Sequence, residues 1–157
     1  MTPGINAARK AGIAHAVLEY AHDPASASYG LEAAAKLGVA GARVFKTLVS
    51  LDGRELAVGV VPVSSMLGMK LIAKAAGAKK AAMAAPAEVE RATGYVLGGV
   101  SPLGQKRRLR TLIDASAAEF ATIFVSAGRR GLEIELNPQD LQALTGAVFA
   151  DIAQHAE

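Results

Sequence analysis

The sequence predicts an α+β fold, and three observations carry that prediction. A tight hairpin signal, Asp52-Gly53, sits between two apolar, β-rich runs, Phe45–Leu51 and Glu55–Val61. Cap-plus-proline starts and glycine stops recur along the chain, so helices and strands are interleaved. The residues are 52% hydrophobic but only 4% aromatic, with no Trp, so the core must be built from Ala, Val, Leu and Ile. One domain over 1–157 is expected, with a curved, mixed, largely antiparallel sheet flanked by helices.

Each element has its own signal. Thr2-Pro3 pairs a hydroxyl cap with proline at the first helical position, and the helix should run to Ala11 and stop at Gly12. Ala16–Tyr20 reads as a short strand. Ser28–Leu37 reads as a helix closed by Gly38. The hairpin follows. Ser65 is the expected cap of a helix reaching Ala76, ended by Gly77. Ala81–Ala84 is a weak strand, and Pro86 opens a helix that Gly94 ends. Tyr95–Gly104 is irregular and glycine-rich. Arg108–Ile113, Thr122–Ser126 and Leu132–Leu136 read as strands, the last entered through an Arg130-Gly131 turn. Asn137-Pro138 starts the last helix, which ends at Gly146. A final strand or tail covers Ala147–Ile152.

Much familiar chemistry is excluded. The chain has no cysteine, hence no disulfide, thiolate metal site or cysteine nucleophile. It contains no Walker-type phosphate loop and no dinucleotide-binding glycine fingerprint. Ser101 lies in Gly99-Val100-Ser101-Pro102-Leu103-Gly104, which is not a nucleophile elbow. His15, His22 and His155 lack short spacing to carboxylates, so no metal and no cofactor are expected. The N-terminal ten residues hold no apolar core of a leader, and no apolar run reaches roughly 18 residues. A cytoplasmic protein with no membrane partner is the expectation.

Four segments stand out. Lys46, in Phe45-Lys46-Thr47-Leu48-Val49, sits inside a strand that otherwise wants burial. It either snorkels to an edge or aims a cation at phosphate, carboxylate or a developing oxyanion. Gly94–Gly104 carries glycines around one Ser-Pro, which lets backbone N–H groups approach a ligand; its other reading is a buried turn. Gln105-Lys106-Arg107-Arg108-Leu109-Arg110 suits a nucleic-acid backbone, or equally a solvated strand edge. Arg129 and Arg130, and Lys79 and Lys80, form further basic pairs on a chain of net charge +3. Ser126 ends a strand before a glycine-bracketed turn, where it orients a small ligand or bonds its own backbone.

Together these segments resemble the YbaK/EbsC family of aminoacyl-tRNA deacylases, related to the editing domain of bacterial prolyl-tRNA synthetases. The likeness starts at Thr2-Pro3 and includes Tyr20-Ala21-His22-Asp23, Phe45-Lys46-Thr47-Leu48 and Gly94-Tyr95 through Gln105-Lys106. It continues through Ser126–Leu136 and Pro138-Gln139-Asp140-Leu141. The resemblance implies catalytic roles for Lys46, Gly98 and Tyr20. It implies substrate contacts from Tyr29, Thr47, Gly99, Ser101, Pro102, Ser126 and Glu133, and tRNA contacts from Lys106, Arg107, Arg108, Arg129 and Arg130. Tyr29 stands where relatives often have Phe, and Glu133 where some have Asp.

It further implies release of mischarged cysteine from Cys-tRNA(Pro), and from Cys-tRNA(Cys), with prolyl-tRNA synthetase as a partner. A size-based pocket separates near-isosteric amino acids by only about 1–3 kcal/mol, so a second sieve is needed. The substrate thiol would attack its own ester and leave as a cyclic thioester, the enzyme supplying position. Two other readings stand beside this one. The same fold acts on alanyl- or seryl-tRNA with water, or the chain is a non-catalytic RNA- or nucleotide-binding module.

Overall fold

The computed structural model describes residues 1–26 and 28–155. In chain order the elements are α1 (Pro3–Ala11), β1 (His15–Glu19), α2 (Tyr29–Leu37), β2 (Phe45–Asp52), β3 (Glu55–Pro62), β4 (Met66–Leu67), α3 (Met69–Ala76) and β5 (Ala82–Met83). Then come α4 (Pro86–Thr93), β6 (Arg110–Asp114), a 3-10 turn (Ala115–Glu119), β7 (Ile123–Arg129), β8 (Leu132–Leu136), α5 (Pro138–Thr145), β9 (Val148–Ala150) and β10 (Ala153–Gln154).

Local chemistry sets most of these bounds. The Thr2 hydroxyl accepts the Ile5 N–H at 3.2 Å and donates to the Ala127 carbonyl, which ties α1 to β7. Ser28 caps α2 through the Leu31 N–H at 3.3 Å. Asn137 Oδ1 accepts the N–H groups of Gln139 and Asp140 at the start of α5. α1, α2, α3, α4 and α5 all end on a glycine in the left-handed region.

The α+β reading holds, with the sheet in connected pieces. A five-stranded sheet runs β5-β2-β3-β6-β9, antiparallel across β5, β2 and β3 and parallel from β3 to β6 to β9. β1-β8-β7 form a three-stranded antiparallel sheet. A parallel bridge between Val44 and Phe124 joins the two at the start of β2. β3 is the central strand, and Ala57–Pro62 is buried throughout. The main core clusters around Phe45, Val60, Ile113, Ile123, Ile134 and Leu141. Ile72 of α3 fills a second cluster with Val61 and Leu112.

Three expectations need correction. β2 extends through Asp52, which pairs with Glu55, so Gly53 and Arg54 make the turn; Gly53 alone takes the positive φ, 69°. α3 starts at Met69 and not at Ser65, because the chain tail competes. Met66–Leu67 pairs with Ala153–Gln154, and the Gly68 N–H donates to the Ile152 carbonyl at 2.9 Å. The Ser65 hydroxyl meets His155 Nδ1 at 3.2 Å instead of capping the helix. The tail itself divides into β9 and β10. Asp114 Oδ1 accepts the Ile152 and Ala153 N–H groups at 3.1 and 3.0 Å at the break.

Candidate active site

A cavity of about 270 Å³ opens where the two larger sheets meet. β2 supplies Phe45, Lys46, Thr47 and Leu48; β7 supplies Ser126; β8 supplies Glu133; Tyr20 follows β1. Ser28, Tyr29 and Gly30 enter from the start of α2, and Leu97, Gly98 and Val100 from the glycine-rich loop. Gly30 brings α2 close: a Cβ there would stand 2.4 Å from Val63 Cγ1.

Arg129 at the cavity wall is paired with Glu19 at 3.4 Å, whereas two other ionisable groups of the lining, Lys46 and Glu133, are not paired. Lys46 is half-buried, and burial pushes its ammonium below the usual lysine range. Glu133 is 6% exposed, and burial pushes its carboxyl up to about 8. Neither belongs to an ion pair among the described residues. Burial first, and the Glu133 charge second, push the Tyr20 phenol up. Among the described residues, Thr47 Oγ1 is the buried side-chain polar atom with no hydrogen-bond partner, and Thr47 lines the cavity. Such an atom is costly unless a ligand satisfies it.

The surrounding contacts fix the walls. Ser126 stands opposite Glu133 in the β7–β8 register. Its Oγ accepts the Gly128 N–H at 3.1 Å, which leaves its O–H free to donate. The register shifts between Ser126 and Arg129, and this irregularity re-aims the strand end. Gly98 has φ 86°; a Cβ there would lie 2.6 Å from Arg130 Nε and 2.7 Å from Tyr29 Cδ2. Arg130 covers the Tyr29 ring and donates to the Leu97 carbonyl at 2.7 Å. Behind Tyr29, His22 Nδ1 meets Glu32 Oε1 at 2.7 Å, and Glu32 also accepts the Asp23 N–H.

Of the residues singled out in the sequence, the fold brings Tyr20, Tyr29, Lys46, Thr47, Gly98, Ser126, Arg129 and Glu133 to this one cavity. Gly99 lies just behind it, against the Arg129 backbone. Ser101 and Pro102 are not brought there. Ser101 is fully buried, and its hydroxyl accepts the Leu103 N–H at 3.2 Å. Pro102 lines a separate groove with Arg107 and Arg108. The loop thus divides: its first half reaches the cavity, while its second half is scaffold. The Tyr95 hydroxyl, bonded to the Leu103 carbonyl at 2.6 Å, fastens that scaffold. Lys106, Arg107 and Arg108 are exposed and lie outside the cavity lining. Phe45, Leu48, Val63 and Val100 were not legible as site residues, since apolar residues in strands and loops look alike whether they fill a core or line a pocket.

No described helix is long and apolar enough to cross a membrane. Comparison with known proteins supplies the relatives. EbsC of Enterococcus faecalis, provisionally named a Cys-tRNA(Pro)/Cys-tRNA(Cys) deacylase, is 41% identical over 76% of this chain and 73% of its own. YwhH of Bacillus subtilis, uncharacterized, is 30% identical over 80% of this chain and 81% of its own. A solved structure provisionally described as a trans-editing enzyme for prolyl tRNA synthetase shares the fold. Its TM-score is 0.80 at 24% identity, over 98% of this chain and 99% of that one. Residues 23–144 match the family described as the aminoacyl-tRNA editing domain. The chain belongs to that aminoacyl-tRNA editing family.

Proposed function

We propose that this protein is a deacylase that releases mischarged cysteine from Cys-tRNA(Pro), acting as one domain over residues 1–157. Support comes from family membership and from the name of its 41% identical relative. The observation that carries the reading is the cavity itself: an unpaired lysine, an unpaired carboxyl and an orphaned hydroxyl around about 270 Å³. That volume suits an aminoacyl group and not a whole nucleotide chain.

Charge and geometry support the following roles. Lys46 steadies the charge that develops on the ribose 3′-oxygen as the ester breaks. The Gly98 N–H, which makes no backbone hydrogen bond among the described residues, faces the ester carbonyl. Tyr20, Ser126 and Glu133 border the α-amino group, and Tyr29 walls the entrance. The substrate thiol attacks its own carbonyl carbon. The sulfur–carbon bond forms, the carbon–O3′ bond breaks, and the thiol proton ends on the 3′-oxygen. The protein contributes alignment, where proximity effects are large. Lys46→Ala should reduce cysteine release to the uncatalysed rate; near wild-type release in that variant would remove Lys46 from the mechanism.

Glu133 favours a second reading beside this one. A carboxyl poised near neutral pH is suited to proton transfer, so water attack on alanyl- or seryl-tRNA has a candidate base. That route predicts release of alanine rising through about pH 8 after subtraction of the enzyme-free rate, and its loss in Glu133→Gln.

Prolyl-tRNA synthetase would present the tRNA, in the cytoplasm where charging occurs, a reading supported by the description of a structural neighbour as a trans-editing enzyme for that synthetase. Affinity for tRNA measured with and without the synthetase tests this; equal affinity argues against it.

A further inference from the structure

A groove of about 620 Å³ lies at the far end of the β2–β3 hairpin from Lys46. Arg54, Lys79, Lys80 and Arg110 line it, with Asp52 and Glu55 at the hairpin tip. Four cations against two carboxylates leave the groove positive. None of the four is in an ion pair among the described residues, and all four are exposed. Asp52 is occupied locally, its Oδ1 accepting the Ser50 hydroxyl at 3.0 Å.

Three separate chain segments bring these charges together: the hairpin turn, the link between α3 and β5, and the start of β6. Protection of a sheet edge accounts for Lys79 and Lys80, which precede the edge strand β5. It does not account for Arg110, which begins an interior strand in register with Ala57, nor for Arg54 at the tip joining two interior strands. Solvated cations with no structural partner, gathered in one concavity, match a phosphate chain.

Distance sets the ligand. From Lys46 to Asp52, β2 runs about 20 Å at ~3.3 Å per residue. A tRNA whose charged end fills the cavity continues as a phosphodiester backbone of ample length. Arg107 and Arg108, which precede Arg110 in the chain, are exposed and line a separate groove. We infer that the hairpin-tip groove is a second, sequence-independent binding site for the backbone of the tRNA whose aminoacyl end occupies the cavity. The inference rests on the editing function proposed above.

The test uses the full chain with Lys79 and Lys80 both changed to Ala, and with both changed to Arg as the charge-keeping control. Affinity for uncharged tRNA is measured across a salt series. Turnover is measured on full-length cysteinyl-tRNA and on a cysteinyl ester of a short 3′-end oligonucleotide that cannot span the hairpin. The Ala variant should bind tRNA more weakly, with a log–log salt slope shallower by about one for each phosphate no longer neutralised. KM on full-length tRNA should rise with kcat unchanged. Turnover of the short ester should be unaffected, and the Arg control should behave as wild type. Unchanged affinity and slope would overturn the inference. So would an equal loss on the short ester, which would place the effect in the cavity. A loss seen only with a synthetase present would assign the groove to a protein and overturn it too. The binding arm needs no turnover: a wild-type protein that releases no amino acid sinks the proposed reaction, while the salt slope still decides the groove.

Discussion

Arg130 lies over the face of Tyr29, its guanidinium carbon 4.2 Å from the ring centroid. The stack closes one wall of the cavity and reserves the space beneath for Gly98, whose positive φ also disfavours any side chain. Gly98→Ala should force the stack apart and displace the loop. Cysteine release should fall roughly 100-fold, the scale expected for a misplacement near 1 Å. Single-turnover deacylation measures this, and an undiminished rate would remove Gly98 from the site.

Thr47 presents a buried hydroxyl without a partner. A substrate atom that bonds it removes a penalty of about 1–3 kcal/mol. Thr47→Val keeps the shape and deletes that group. The variant should fold at least as well as wild type and lose about tenfold in kcat/KM for a substrate carrying a polar side-chain atom. Alanyl-tRNA should be affected less. Competition between cysteinyl- and alanyl-tRNA reads the ratio; an unchanged ratio means that the hydroxyl does not touch the side chain.

Glu133 links function to stability. Its folded pKa, about 8, stands above the unfolded value of about 4.5. The folded state therefore holds more protons between those values, and stability falls as pH rises through that window. Glu133→Gln removes the fall. The two proteins should melt together near pH 5, and the variant should be more stable at pH 9 by a few kcal/mol, at ~1.4 kcal/mol for each pH unit separating the folded and unfolded values. Parallel melting curves at both pH values would contradict this burial-driven rise.

Asp114 behaves in the opposite sense. Burial pushes its carboxyl up, but the Ser116 hydroxyl and the Ile152, Ala153 and Ser116 N–H groups outweigh that and hold it below the usual range. Its contribution is present above the unfolded carboxylate pKa and is lost as pH falls through the folded value. Asp114→Ala should destabilise by about 3 kcal/mol at pH 7, and less in acid. Denaturant unfolding at the two pH values checks both statements.

Much of this architecture was legible because it is written locally. Thr2, Ser28 and Asn137 cap helices through bonds spanning two or three residues, and Gly53 turns the hairpin with its own φ. What escaped depends on distant partners. Ser65 reads as a cap until the C-terminal tail arrives to pair with Met66 and Leu67. Ser101 reads as a pocket residue until its hydroxyl is seen bonded to Leu103. Glu133 could be flagged from the sequence, but its neutralising burial comes from β1, β7 and β8 together. The cations of the hairpin-tip groove sit on three separate segments, and their convergence is visible only in the fold.

In the proposed reaction the substrate itself supplies the nucleophile. The most direct measurement compares wild-type release of cysteine and of serine from the same tRNA(Pro), since the two side chains differ by one atom. Release of cysteine well above that of serine, with a cyclic thioester as the first product, is the predicted result. Equal release of both amino acids, with free acids as the first products, would contradict it.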